Sequence, residues 1–241
     1  LRGGGFKATL GRQVLNFGKG RLFSPADLFA EAEYSPLAVS RRGTDALRLT
    51  AELGPLALAE AIAAPAGDPA SGRYALRAAG FVAGAADCSV IGAWDGAEGT
   101  WIAGGDAKLD LPFAAVYGEA AAAFPLDSGD AAYRAAFGFD ASYGDLVAAA
   151  EYRYDGAPAA EAPYGAHSLY AALSLGLSEY ASLSASGLWL VDRDTWSGGL
   201  VGKAEIEQGV VLGLSAAATR TLPAGIETWR AEAGFSLELR F

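Results

Sequence analysis

Apolar and polar residues alternate strictly through the last stretch of the chain, "WRAEAGFSLELRF". Trp229, Ala231, Ala233, Phe235, Leu237, Leu239 and Phe241 hold one set of alternate positions; Arg230, Glu232, Gly234, Ser236, Glu238 and Arg240 hold the other. Side chains of a strand point to opposite faces with period two, so the pattern predicts a β-strand with one apolar and one polar face. The alternation recurs upstream. "SLYAALSLGLS" sets Leu169, Ala171, Leu173, Leu175 and Leu177 against Ser168, Ser174 and Ser178. "AAYRAAFGFDASY" sets Tyr133, Phe137, Phe139 and Tyr143 against Arg134, Asp140 and Ser142. "TWIAGGDAKLDL" sets Trp101, Leu109 and Leu111 against Asp106, Lys108 and Asp110, and "DALRLTAEL" sets Leu47, Leu49 and Leu53 against Arg48, Thr50 and Glu52. "DLVAAAEYRY" and "GVVLGLSAAATRT" behave likewise. "PLALAEAIAA" is nearly all apolar, with Glu60 its one polar marker. "FKATLGRQV" loses phase at Gly11, where a bulge would turn both Lys7 and Arg12 inward.

These runs exceed the about 5–6 residues of an ordinary strand and suit the about 9–11 of a tilted strand crossing a bilayer. Their connections alternate too. Short turns fall at Gly54-Pro55, Gly84-Ala85, Leu111-Pro112, Tyr143–Asp145, Ser178-Glu179 and Glu207–Gly209. Between them lie longer polar loops such as "PAGDPASG", "PLDSGD" and "DGAPAAEAPYGAH". The spacing predicts one all-β domain over 1–241, an antiparallel up-and-down transmembrane β-barrel of about 14 strands, complete or part of a larger one. A soluble sandwich or lipocalin-like barrel also alternates, but does not usually keep strands this long or sort short turns from long loops. The opening "LRGGGF" reads as a hairpin turn, so a trimmed N-terminus is expected.

Composition fits this picture. Apolar residues make up 52% and charged residues 19% of 241, yet no apolar run approaches the roughly 18–20 residues of a membrane helix. A net charge of −10 argues against a nucleic-acid partner, and a single cysteine, Cys88, excludes an internal disulfide framework and a cysteine metal site.

One stretch, 17–42, is far longer than the other connections, and such connections are usually functional or disordered. Phe17, Leu22, Phe23, Leu28, Phe29, Tyr34 and Leu37 can anchor it. Within it "SPADLF" predicts a short helix over Pro25 to Ala32, with Ser24 at the N-cap, Pro25 at N1 and Asp27 at N3.

"GRQVLNFGKG" followed by "FSPADLF" resembles the Gly-Arg-Gln strand and Phe/Trp-Gly loop of porin-like outer-membrane barrels, including alginate-export-type proteins; Phe17 stands where tryptophan is common. The match covers about Gly11 to Phe29, with "RRGTDALRL" as weaker support. The resemblance implies an inward-folded loop and a lumen-facing arginine. Arg12, Gln13 and Asp27 would then form a polar cluster at a constriction, to which Lys19 and Arg21 add positive charge, or Arg12 and Asp27 would pin the loop to the wall. It also implies further strands before the motif. Separately, a last strand that ends in Phe241 after alternate apolar residues resembles the C-terminal signal that barrel-assembly machinery recognises in outer-membrane proteins.

The alternation places Arg48, Glu52, Arg77, Asp106, Arg134 and Glu151 on the lumen side. Catalytic chemistry is weakly represented. A barrel hydrolase would need Ser, His and an orienting group arranged in space, and His167, at the end of a long loop and followed by Ser168, reads as an ordinary solvated histidine. No glycine-rich phosphate loop runs from a strand into a helix. Asp106, Asp110 and Glu119 read as ordinary charges of a water-filled barrel. No enzyme activity, metal or cofactor is expected. The expected function is a porin-like channel of the bacterial outer membrane for small hydrophilic solutes, with lipid and lipopolysaccharide around it. A saccharide or organic-acid channel is the alternative, and a barrel lipase a remoter one. Asp68, Asp95, Glu98, Asp127, Asp130, Asp155, Glu161, Asp192 and Asp194 crowd the long-loop end, with Arg73 and Arg193 as their main counter-charges. That acidic mouth implies modest cation preference, or divalent bridging to lipopolysaccharide.

Overall fold

The computed structural model describes residues 2–3, 5–29, 32–127, 129–157, 162, 164–222 and 227–239. The edge strands β1 (Arg2–Gly3) and β2 (Phe6–Gln13) precede a hairpin, β3 (Ala32–Ser35) and β4 (Ala38–Arg41). Then follow β5 (Thr44–Gly54), β6 (Ala57–Ala64), β7 (Arg73–Val82), β8 (Ala86–Asp95), β9 (Thr100–Asp110) and β10 (Ala114–Pro125). The last strands are β11 (Ala132–Tyr143), β12 (Leu146–Asp155), β13 (His167–Ser178), β14 (Ala181–Leu190), β15 (Thr195–Glu207), β16 (Val210–Thr221) and β17 (Thr228–Leu239). The two-residue β1, β2 and β5 to β17 form one antiparallel sheet in that order, and β3–β4 stands apart. Omitting β1, the sheet is an up-and-down meander of 14 strands. Among the described residues no pairing joins β17 to β1 or β2, so the sheet has two unpaired edges.

Period-two alternation sorts the faces as the sequence implies. One face carries Leu76 (69% exposed), Val90, Phe137, Leu173, Leu214 and Phe235. Near the long-loop end it carries an aromatic row in direct register, Tyr74 opposite Trp94, Trp94 opposite Trp101, and Trp101 opposite Phe124. Farther along, Trp189 opposes Trp196, and the Trp196 and Trp229 rings meet edge to face at 5.3 Å. Near the short turns Phe6, Phe113, Tyr143 and Tyr180 are exposed.

The opposite, inner face holds the charges and the segment between β2 and β5. Three residues within the stretch 18–21 show how the sheet is shaped. Gly18 lies against Glu119 of β10, Lys19 reaches Asp87 of β8 and Asp106 of β9, and Arg21 reaches Asp140 of β11 and Glu151 of β12. In a flat sheet β8 and β12 lie roughly 19 Å apart, at about 4.8 Å per strand. Five strands turning one face toward so short a stretch make the sheet concave there.

Among the described residues of that segment, Pro25 to Phe29 are not helical, where the sequence predicts a helix over Pro25 to Ala32; residues 30–31 lie outside the described residues. Asp27 N–H donates to the Ser24 carbonyl (3.1 Å) in a single turn, and the Asp27 carboxylate accepts from Phe29 N–H (2.9 Å). Ser24, read as the N-cap, donates its hydroxyl to Glu119 (2.9 Å) instead. Glu119 thus takes both the hydroxyl that would have capped a helix and the Ala26 N–H. The segment continues into the β3–β4 hairpin, which sequence reasoning missed.

Candidate functional site

An irregular buried loop leaves backbone N–H groups that need acceptors. Here two inner-face glutamates supply them. Glu151 accepts from the N–H groups of Arg21, Leu22 (3.0 Å) and Phe23 (3.0 Å), and from the Tyr117 hydroxyl (2.7 Å). Glu119 accepts from Ala26 N–H (2.8 Å) and the Ser24 hydroxyl. Both glutamates are almost wholly buried, at 2% and 3% exposure. Such charge-assisted bonds are shorter and stronger than neutral ones.

Apolar packing completes the seat. Leu15, Phe17, Ala26 and Phe29 form one core with Ala46, Ile62, Ala64, Ala75, Ala93, Ala121 and Ala123 of the wall. Leu22, Phe23 and Ala32 form a second with Ala136, Tyr170 and Leu188. The wall residues are largely alanine because large loop side chains fill the space above them. Gly18 is required by close approach: a Cβ there would collide with Ser24 and the Glu119 carboxylate. At Gly199 a Cβ would meet the Pro36 backbone of the hairpin turn.

The loop cations are paired with the wall or with the loop itself. Lys19 binds Asp87 at 2.6 Å and lies 3.6 Å from Asp106. Arg21 Nε donates to Asp140 (2.7 Å). Arg41 lies 3.6 Å from Asp27 and donates to the Gly20 (3.0 Å) and Arg21 (3.2 Å) carbonyls. Arg77 and Arg153 sit over the Phe17 and Phe23 rings, at 5.6 and 5.8 Å.

The expected cluster of Arg12, Gln13 and Asp27 is not assembled. The register from Phe6 opposite Ala51 to Gln13 opposite Thr44 runs without a bulge, so Gly11 does not turn Arg12 inward. Arg12 projects from the outer face and binds Asp45, directly opposite, at 2.8 Å, with its side chain 73% exposed. Gln13 donates to the Ala46 carbonyl (2.9 Å). Asp27 lies in the seated loop with Arg41.

The remaining sites lie on the inner face. Arg48 and Arg77 converge on buried Glu60, the latter at 3.1 Å, and Arg77 also donates to Ser89 (3.2 Å). Ser89 donates to Asp106. Glu52 sits near the short-turn end of β5, opposite Leu58. Glu151 is a loop anchor rather than a free wall charge.

Arg134 and Arg153 lie at the long-loop rim, both on buried Asp155, which also accepts from Ala157 N–H (3.0 Å). Asp95 is likewise buried, with Arg73 at 3.1 Å. Arg220 joins Asp194 (3.4 Å) and Glu227 (2.8 Å), and holds the Glu227 carboxyl below its usual value with help from the Trp229 indole N–H. The rim therefore has more counter-charge than Arg73 and Arg193. Asp68, Glu98, Asp127 and Asp130 form no ion pair among the described residues. Glu161 and Phe241 lie outside the described residues.

Beside the seated loop the inner face is open. A cavity of about 220 Å³ lies between the β3–β4 hairpin and strands β12 to β15, lined by Arg21, Val39, Tyr170, Ser174, Ser184 and Ser186 among others. A second, of about 230 Å³, lies between Pro36 and Ala217, Thr219, Arg230 and Glu232.

No protein-family model matches the chain, and no curated protein is significantly similar to it. The functional reading rests on this geometry.

Proposed function

We propose that the chain forms the wall and an inward plug of a transmembrane β-barrel in a bacterial outer membrane, and that it works as a porin-like channel for passive diffusion of small hydrophilic solutes. The observation that carries this reading is the outer face, a belt of exposed leucine, valine and phenylalanine between aromatic residues near both strand ends. Soluble monomers rarely expose so large a continuous apolar surface, whereas a bilayer requires it. On this reading the two edges of the sheet, at β1–β2 and at β17, are paired in the membrane, because hydrocarbon offers backbone groups no other partner.

The loop and hairpin between β2 and β5 then narrow the lumen from β5 across to β15, and the passage runs through the space left open beside the hairpin. Small hydrophilic solutes, lipid and lipopolysaccharide are its partners, and Phe241 is its signal to the assembly machinery. Catalysis has no place in the reading. The rim keeps Asp68, Glu98, Asp127 and Asp130 as uncompensated acids, so the preference is for cations, and modest. The test is the reversal potential across a planar bilayer under a potassium chloride gradient. The expected sign is cation-selective, weakening as the screening length falls from about 10 Å at 0.1 M to about 3 Å at 1 M salt. An anion-selective sign would show that Lys19, Arg21 and their neighbours govern the pore.

A further inference from the structure

Tyr170 has a buried ring, 6% exposed, packed edge to face against Tyr34 at 5.9 Å. Its hydroxyl makes no hydrogen bond among the described residues. The oxygen is not among the described side-chain atoms that are both buried and unpartnered, so solvent reaches it and it is open to a solute. The ring lines the cavity of about 220 Å³ beside the hairpin.

Other groups at that cavity have hydrogen-bonding capacity to spare. Arg21 spends its Nε on Asp140, and its two terminal nitrogens bond nothing among the described residues. Ser174 and Ser184 share one hydrogen bond across the strands (3.0 Å), which leaves one hydroxyl hydrogen and several lone pairs unused. Ser186 donates to the Pro36 carbonyl (3.1 Å) and lies beside the Tyr34 hydroxyl, so it is the most engaged of the three serines. The cavity thus offers donors and acceptors in mixture. The Arg21–Asp140 pair adds no net charge to it.

Mixed donors and acceptors without net charge match a neutral molecule rich in hydroxyl groups. At about 30 Å³ per water the space holds about seven waters, room for one sugar ring. Resting on the channel reading above, we infer that this cavity is a binding subsite for a single neutral sugar ring on the solute path. Tyr170, Ser174, Ser184 and the terminal nitrogens of Arg21 are its hydrogen-bonding groups.

The test uses glucose, gluconate and glycerol as probes on the refolded full chain. Calorimetric titration in detergent measures binding without any need for conduction, and current block in planar bilayers measures occupancy of the path. Glucose is expected to bind saturably and to block current, with gluconate and glycerol weaker. Tyr170→Phe, which keeps the ring and its packing, is expected to weaken glucose binding about 3- to 10-fold, the effect of one hydrogen bond. Ser184→Ala is expected to act in the same direction. Tighter binding of gluconate than of glucose would overturn the inference in favour of an anion site. Equal affinity of Tyr170→Phe and the parent protein, or no saturable glucose binding at all, would overturn it outright. A protein that binds glucose in detergent but conducts nothing would overturn the channel reading and leave the subsite standing.

Discussion

Replacing Glu151 with alanine should release the plug while leaving the wall intact. In the native protein this carboxylate accepts from three consecutive loop N–H groups and from the Tyr117 hydroxyl. Leu22, Phe23 and Tyr117 are 2%, 2% and 5% exposed, so water does not reach their donors as they stand. A buried donor left unsatisfied costs about 1–3 kcal/mol. Three such donors set a ceiling of about 9 kcal/mol, but two effects reduce it. The vacated side-chain volume admits one or two waters that re-satisfy some donors. Removing the carboxylate also returns its own desolvation penalty, several kcal/mol for a buried ion. A net of about 3–6 kcal/mol remains, which raises the undocked population about 10²- to 10⁴-fold at 1.4 kcal/mol per decade. Glu151→Gln keeps one acceptor oxygen but turns an amide donor toward the loop, so it should fall between alanine and the parent. The assay pairs trypsin digestion in detergent, with Lys19, Arg21, Arg41 and Arg42 as loop cleavage sites, with single-channel recording. Cleavage and conductance should both rise in the order parent, Gln, Ala. Unchanged protease resistance and conductance in Glu151→Ala would refute the claim that this glutamate seats the loop.

The other expectations concern the two faces and the plug as a whole. Leu173→Arg near mid-strand should destabilise bilayer-refolded protein by roughly 2–4 kcal/mol, while Ser174→Arg on the inner face is tolerated; equal midpoints in urea titration would sink the face assignment. Deleting Lys19 to Glu33 should raise single-channel conductance. Because it removes Leu22, Phe23 and Phe29 from two cores and leaves Glu119 and Glu151 without loop donors, it should also lower the unfolding temperature. Unchanged conductance would place the loop off the path.

Strand number and faces were legible in the sequence because period two survives wherever one face is apolar. Glu60, alone in "ALAEAIAA", does point inward, onto Arg48 and Arg77. Arg12 shows what happens when a simple pattern is overridden. Phe6, Ala8, Leu10 and Arg12 share one phase, and that phase holds; the bulge invoked at Gly11 was unnecessary because Asp45 stands directly opposite Arg12 on the outer face. The loop was legible as anchored by its aromatics but not in its shape. Ser24, Pro25 and Asp27 have good local helix-start chemistry. Glu119 and Glu151, about 95 and 130 residues away in sequence, fix the segment's path by holding Ser24 and Ala26 and the N–H groups of Arg21 to Phe23 against the sheet. The available signal was a lone acid among inward alanines, in "YGEAAAAF" and "LVAAAEY": the alanines leave room for a plug and the acid holds it.

The account stands on the outer face meeting hydrocarbon, and Val90 tests this directly. It lies mid-strand on β8, 63% exposed, between Ala78 and Gly105. In a Cys88→Ser background, Val90→Cys is labelled with a small fluorophore while unfolded and then refolded into vesicles. Brominated acyl chains should quench the label strongly and aqueous iodide hardly at all. Strong iodide quenching with indifference to brominated lipid would contradict the membrane reading.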